Sequence, residues 1–331
     1  MTRYRMFDRA RIQLEDIARR GHDLVVDECL ALQPPNVPLQ NADFADLVNR
    51  IVRARQAGRP VVLMMGGHPV KLGLSRFLID LIERGWISHV AMNGAGLIHD
   101  FELAMVGGTS ESVQKWIKVG QFGLWKQTSL LNDAIRDAAE RDEGLGEGVG
   151  RFIEEHEFPH GQLSIARAGW RHRVPVTCHV SIGSDIIHPM ANCDGASLGA
   201  TSYKDFLIVA HAIENLENGV FLNVGTAVTG PEVYLKALSM ARNVARQQGT
   251  AIRHFTTAVF DLVELPSNWR DGSPAKDHPG YYFRPWKTIL LRTVSDGGQS
   301  YYFCCDHTRS VPSLWHALVQ CGDPLPSTTH S

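Results

Sequence analysis

Trp286 and Lys287 stand side by side in the run YYFRPWKTILLRT. A lysine against an apolar wall is a residue type that can form an imine with a carbonyl carbon. The same lysine can equally be a solvated cap on an ordinary strand, so its meaning depends on what surrounds it. Five other stretches end in glycine-rich or polar turns: MMGGHP with Gly66 and Gly67, MNGAG with Gly94, Ala95 and Gly96, SIGSD, NVGTAVTG with Gly225 and Thr226, and FTTAVFD. Glycines there let backbone N–H groups approach a phosphate, and a helix starting just after adds partial positive charge. One such turn is a weak signal, but five in corresponding positions point to a nucleotide-type ligand. They do not spell GxGxxG, and MMGGHPVKLG is not a Walker loop, so neither standard phosphate fingerprint is present.

The turns are held by a repeated strand–helix grammar. RPVVLMMGG reads as a buried strand, and VKLGLSRFLIDLIERG as a helix in which Leu74, Phe77, Leu78, Leu81 and Ile82 share a face before Gly85 ends it. The pattern returns in ISHVAMNGAG and LIHDFELAMVGG, in VPVTCHVSIGSD and YKDFLIVAHAIENLENG, and in VFLNVGTAVTG and PEVYLKALSMARNVARQQG. Strands alternating with helices predict right-handed crossovers and an open, mostly parallel α/β sheet flanked by helices. Its ligands should collect beyond the carboxyl ends of the strands. Residues 107–173 read as a helical insertion, and the Pro-, Gly- and Asp-rich loop 264–285 as functional, since long loops seldom persist idle. KTILLRT and SYYFCCDHT read as closing strands before a helix in SVPSLWHALVQC. The expected units are a helical arm over residues 1–40 and one nucleotide-binding domain over 41–331.

Composition excludes several classes. A net charge of −2 over 331 residues favours neither nucleic acid nor a membrane surface as partner. The cysteines (Cys29, Cys178, Cys193, Cys304, Cys305, Cys321) lack CxxC spacing, and the charged start MTRYRMFDRARIQLEDIARRG has no apolar signal core. Both features predict reduced thiols and a cytoplasmic location. Fifteen histidines invite a metal, but CHVSIGSDIIHPMANCD fits no closed zinc spacing, and no metal is expected. Without a GxSxG elbow, a serine hydrolase is disfavoured.

Taken in order, these segments resemble the deoxyhypusine synthase family over roughly residues 40–320. The resemblance rests on GLSRFLIDLIERGWISHVAMNGAGLIHD, VPVTCHVSIGSD, NGVFLNVGTAV, HFTTAVFD and YYFCCDHTRSVPSLWHALV. It implies a homotetramer built as a dimer of dimers, and an NAD cofactor held by Gly94, Ala95, Gly96, Asp185, Gly225, Thr226, Thr257, Ala258 and Asp306. Gly66 and Gly67 stand where the family has a Ser/Asn-rich turn.

The departures point away from the family's spermidine chemistry. The family places its nucleophile in Trp-x-Lys, whereas Trp286 and Lys287 are adjacent. On a strand, adjacent side chains face opposite ways, so Thr288 would take the lysine's place unless a bulge at Pro285 re-aims Lys287. The family's paired histidines are absent near Gly230, Pro231 and Glu232, and His188 stands where an acidic residue is usual. Lys276, His278 and Arg284 in the long loop favour an anionic or neutral partner over a dication. The expectation is an NAD-dependent enzyme that oxidises, or transfers a group from, a small amine or alcohol. His188 or His99 would accept the proton, Trp286 would form an apolar wall, and Lys287 would form an imine only with the bulge. The alternatives are true deoxyhypusine or homospermidine synthesis, and a nucleotide-binding scaffold without chemistry.

Overall fold

The computed structural model describes residues 3–324; residues 1–2 and 325–331, the outer ends of the two expected units, lie outside the described residues. In chain order the elements are α1 (Ala42–Gln56), β1 (Val61–Met65), α2 (His68–Lys71), α3 (Ser75–Glu83), β2 (His89–Asn93), α4 (Gly94–Val106), α5 (Val113–Ile117), α6 (Lys126–Glu140), α7 (Leu145–Glu155), α8 (Ile165–His172), β3 (Val176–His179), α9 (Gly195–Glu214), β4 (Val220–Val224), α10 (Thr229–Gln247), β5 (Thr256–Asp261), β6 (Gln299–Cys304) and α11 (His307–Gln320).

The six strands form one sheet in the order β3-β2-β1-β4-β5-β6, every neighbouring pair parallel. Apolar runs make these strands because both faces are covered, so no polar alternation is needed. In β1, Val61, Leu63 and Met65 enter one core with α1, α3, α4 and α11, while Val62 and Met64 enter a second core with α9 and α10. The register pairs Met65 with both Met92 and Val224, and Val224 with Phe260, so the carboxyl ends of the central strands form one crest.

Helix α1 illustrates how the layers lock. Asn41 caps it by accepting from the Phe44 N–H at 2.8 Å, and Phe44, Leu47, Val48 and Ile51 then bury one stripe at helical spacing. Full burial of each such side chain contributes about 2 kcal/mol, and Leu47→Ala would leave a gap in that stripe.

Two expected elements differ. Residues 3–40 are not a helical arm: they form a strap of extended chain with single 3-10 turns at Arg9–Arg11, Ile17–Arg19 and Val26–Glu28. The strap pairs Leu24–Val25 with Gly108–Thr109, inserts Arg20 into the interior, and at Leu39 donates from its N–H to Ser313 Oγ on α11 at 2.9 Å. The second difference is KTILLRT. Pro285–Arg292 is a π-helix rather than a strand, with the Thr293 N–H reaching back to the Thr288 carbonyl at 3.2 Å. Helices α5 to α8 fill the interval between β2 and β3, where glycines permit close approach: a Cβ at Gly146 would lie 2.0 Å from the Val176 carbonyl oxygen. No described helix is long and apolar enough to cross a membrane.

Candidate functional site

The strand order reverses at β1, with β2 on one side and β4 on the other, and this switch point is where open α/β sheets bind ligands. The turns leaving β1 and β4 touch. Gly66 donates to the Val224 carbonyl at 3.2 Å, and a Cβ on Gly66 would lie 2.3 Å from the Gly225 carbonyl oxygen. Gly225 takes φ +61°, and the space a side chain would need holds the His307 ring, whose Nε2 is 2.6 Å from the would-be Cβ. His68 meets His307 edge to face, with ring centroids 6.3 Å apart. Burial pulls the His307 pKa below its usual value, so the ring is neutral at neutral pH.

The β2 turn joins the same crest. Asn93 caps α4 by accepting from the Gly96 N–H at 2.9 Å; a Cβ on Gly96 would lie 3.4 Å from the Gly66 carbonyl oxygen, and one on Gly67 would lie 3.3 Å from Ala95. Asp185, from the loop after β3, lies against Gly94, its Oδ2 2.2 Å from where a Gly94 Cβ would stand. Burial pushes the Asp185 pKa up to about 6. The structure thus brings Gly66, Gly67, Gly94, Ala95, Gly96, Asp185 and Gly225 together, with Thr226 bracing α10 by accepting from the Gly230 N–H at 3.0 Å.

His188 and His99 flank this crest in opposite tautomers. His188 Nδ1 accepts from the backbone N–H groups of Gly183 and Asp185, both at 3.1 Å, so the neutral ring carries its proton on Nε2. That Nε2 is 3.8 Å from Asp185 Oδ2, and neither atom has a hydrogen-bond partner among the described residues. His99 Nδ1 lies 2.8 Å from Thr109 Oγ1, whose single proton goes to Glu102 Oε2 at 2.7 Å. Thr109 therefore accepts from His99, leaving a lone pair on His99 Nε2. Behind them Arg20 grips Glu102 in a buried fork, both bonds at 2.9 Å. Burial brings the His99 pKa down to about 4.

Other expected residues lie elsewhere. Thr257 and Ala258 pair with Phe221 and Leu222, three and two residues below the crest, about 10 and 7 Å at ~3.3 Å per residue. Thr257 Oγ1 donates instead to the Ile289 carbonyl of the π-helix at 3.0 Å. Asp306 stands beside the crest as the cap of α11, accepting from the Thr308 N–H at 2.7 Å. Trp286 is a core residue whose Nε1 donates to the Trp269 carbonyl at 3.0 Å, not a pocket wall. Lys287 is buried with its ammonium 3.4 Å from the Tyr281 ring centroid, so the strand argument about opposite faces does not apply to it. Sequence reading missed His68 and His307, although both directly follow a strand-end turn. It also missed Arg20, Glu102 and Glu111, which only the fold brings close. No group of three or more His, Cys, Asp or Glu among the described residues could hold a metal ion.

Neither a family model nor a curated protein matches the sequence. Among solved structures, AgrE in its ternary complex with ornithine and NAD+ superposes with a TM-score of 0.46 at 15% identity, over 87% of this chain and 34% of that chain. A conserved protein assigned to the LOR/SDH group from Methanococcus maripaludis S2 gives 0.47 at 16% identity, over 87% of this chain and 74% of that one. A protein assigned as a deoxyhypusine synthase from Entamoeba histolytica gives 0.40 at 10% identity, over 93% and 97%. The chain thus spans about a third of the length of AgrE. No residue role follows from these likenesses.

Proposed function

We propose that this chain binds a nicotinamide dinucleotide across the switch-point crevice and oxidises a small amine or alcohol. The observation that carries this reading is the crest itself, where glycine-rich turns at Gly66–Gly67 and Gly94–Gly96 meet Gly225 at the reversal of strand order. The site also offers unmatched polar groups. Asp185 Oδ2, His188 Nε2 and Asn223 Oδ1 are buried without a partner among the described residues, and ligand hydroxyls or amides would satisfy them. Asp185 would accept from a ribose hydroxyl and His188 Nε2–H would donate beside it. A nicotinamide supplies a two-electron acceptor for a carbon bearing nitrogen or oxygen.

The chain's own task is then to take the proton from that nitrogen or oxygen. His99 is the better acceptor of the two histidines, because its free Nε2 carries a lone pair whereas that of His188 carries the proton. The Thr109–Glu102–Arg20 chain holds the His99 tautomer. Calorimetric titration of cofactor-stripped protein with NAD tests the reading. Saturable binding is expected, weakened roughly tenfold or more by Asp185→Asn through loss of a charge-assisted hydrogen bond worth ~1.5–3 kcal/mol. Absence of binding at millimolar NAD rejects it.

A second reading, deoxyhypusine-type transfer through an imine, is favoured by one observation. The buried Lys287 ammonium has the Tyr281 ring beside it and no carboxylate ion pair among the described residues. Borohydride trapping of a labelled amine donor in the presence of NAD checks it: label on Lys287, lost in Lys287→Arg, would support it over plain oxidation. Assembly as a dimer of dimers is likewise proposed, and light scattering of the purified protein measures it.

A further inference from the structure

Beside the crest, against α4, lies a cavity of about 210 Å³. It shares Ala95, His99 and Asp185 with the crest and continues inward to Glu102, Ser110 and Glu111. A cavity of about 150 Å³ takes benzene, so this one has room for a ligand of about that size or slightly larger.

The charges on its wall are ordered. Arg20 and Glu102 neutralise each other in their fork, though Arg20 Nε keeps an unpaired N–H. Glu111 is different. Its Oε1 accepts from Trp125 Nε1 at 2.9 Å and from the Gly123 N–H at 3.0 Å, with Arg20 3.9 Å away, while its Oε2 is buried with no partner. Asp185 Oδ2 on the same wall is also unpartnered. Unsatisfied buried carboxylate oxygens are costly unless a cation or donor meets them. Burial accordingly raises the pKa of both groups in the absence of such a cation. Lys71, the exposed last residue of α2, is the remaining charge on the lining and places an ammonium at the cavity's solvent side.

We propose that this cavity is the substrate pocket and that it takes a small zwitterion, its ammonium directed to Glu111 and its anionic group to Lys71. The inference rests on the dinucleotide reading only in calling the ligand a substrate. It gives His99 its work: the same wall that holds the ligand's nitrogen carries the imidazole with the free lone pair.

The test is calorimetry on the full chain with four probes of similar size: 4-aminobutanoate, L-2-aminobutanoate, butylamine and butanoate. NAD binding is measured separately on the same protein. One of the two zwitterions should bind at least tenfold more tightly than both monofunctional probes. Glu111→Gln, which keeps the bonds to Trp125 and Gly123, should lower that affinity at least tenfold and leave NAD binding intact. Lys71→Met, an exposed change that does not threaten folding, should erase the preference for the zwitterion over butylamine. Equal binding of the monofunctional probes, or unchanged affinity in either variant, overturns the pocket assignment. NAD binding without zwitterion binding sinks this inference alone, whereas zwitterion binding without NAD binding sinks the dinucleotide reading and leaves the pocket standing.

Discussion

Arg20 and Glu102 are both almost fully enclosed, and each spends its charge on the other. Glu102 also accepts from Thr109 and Thr128, so every oxygen of the carboxylate is engaged. Removing one partner strands a buried charge, which costs far more than an exposed ion pair contributes. Arg20→Met is therefore expected to lower unfolding free energy by roughly 3–5 kcal/mol in urea titrations. It should also release His99 from its fixed tautomer, because Glu102 no longer has a reason to stay ionised. At this scale legibility depended on chain distance. Gly66, Gly94 and Gly225 were readable because a turn announces itself in neighbouring residues. Arg20 was not, since its partner Glu102 lies 82 residues along the chain, and neither was Glu111, whose partners Gly123 and Trp125 are brought to it by a segment with no regular period.

Among elements, the π-helix at Pro285–Arg292 was one of the two misread. A short apolar run bounded by proline and a polar tail fits a buried strand and a buried helix equally well, and periodicity cannot separate them. What decides it is tertiary: β6 occupies the sheet edge beside β5, and the segment packs over those strands and α10 instead. Thr257 is the tie between the two layers through its bond to Ile289. Thr257→Val keeps the shape and removes that bond, so a loss of about 1 kcal/mol is expected from the shift in urea midpoint. The same change should leave NAD affinity untouched, because Thr257 lies below the crest; a large drop in affinity would restore it to the site. The six strands and most helices that follow them were legible, since strand ends, glycine stops and helical stripes agreed there, but the single helix expected over VKLGLSRFLIDLIERG is broken at Gly73 into α2 and α3. The strap was not legible: its charged residues suit a surface helix by composition, and only its contacts explain its extended course.

For the whole molecule, buried carboxyls set the response to pH. Asp205 on α9 accepts from the Cys178 N–H at 2.6 Å and the Gly146 N–H at 3.0 Å, yet burial outweighs those bonds and lifts its pKa to about 8. Asp100 and Asp185 are raised to about 6 by the same cause. A carboxyl raised in the folded state holds its proton after the unfolded chain has released it. Its contribution is therefore complete below the unfolded value near 4 and declines as pH rises towards the folded value. Between pH 5 and pH 8 the melting temperature of the wild type should lose ground to that of Asp205→Asn as pH rises. The buried histidines act oppositely at lower pH, but they are common to both proteins and cancel in the comparison. Equal slopes for the two proteins would show that Asp205 is ionised in the native state.

The strap has a consequence for how the molecule comes into being. Its bonds join residues at opposite ends of the described chain: Leu39 reaches Ser313, and Arg309 donates to the Val37 carbonyl, at sequence separations of 274 and 272. Leu24–Val25 can pair with Gly108–Thr109 early, but the segment Val37–Leu39 must wait for α11, which follows the whole central sheet in the chain. Closing so long a loop is entropically slow and gains nothing until the final contact forms. Refolding should accordingly end in a late step that docks Val37–Leu39 against α11 on an already formed sheet.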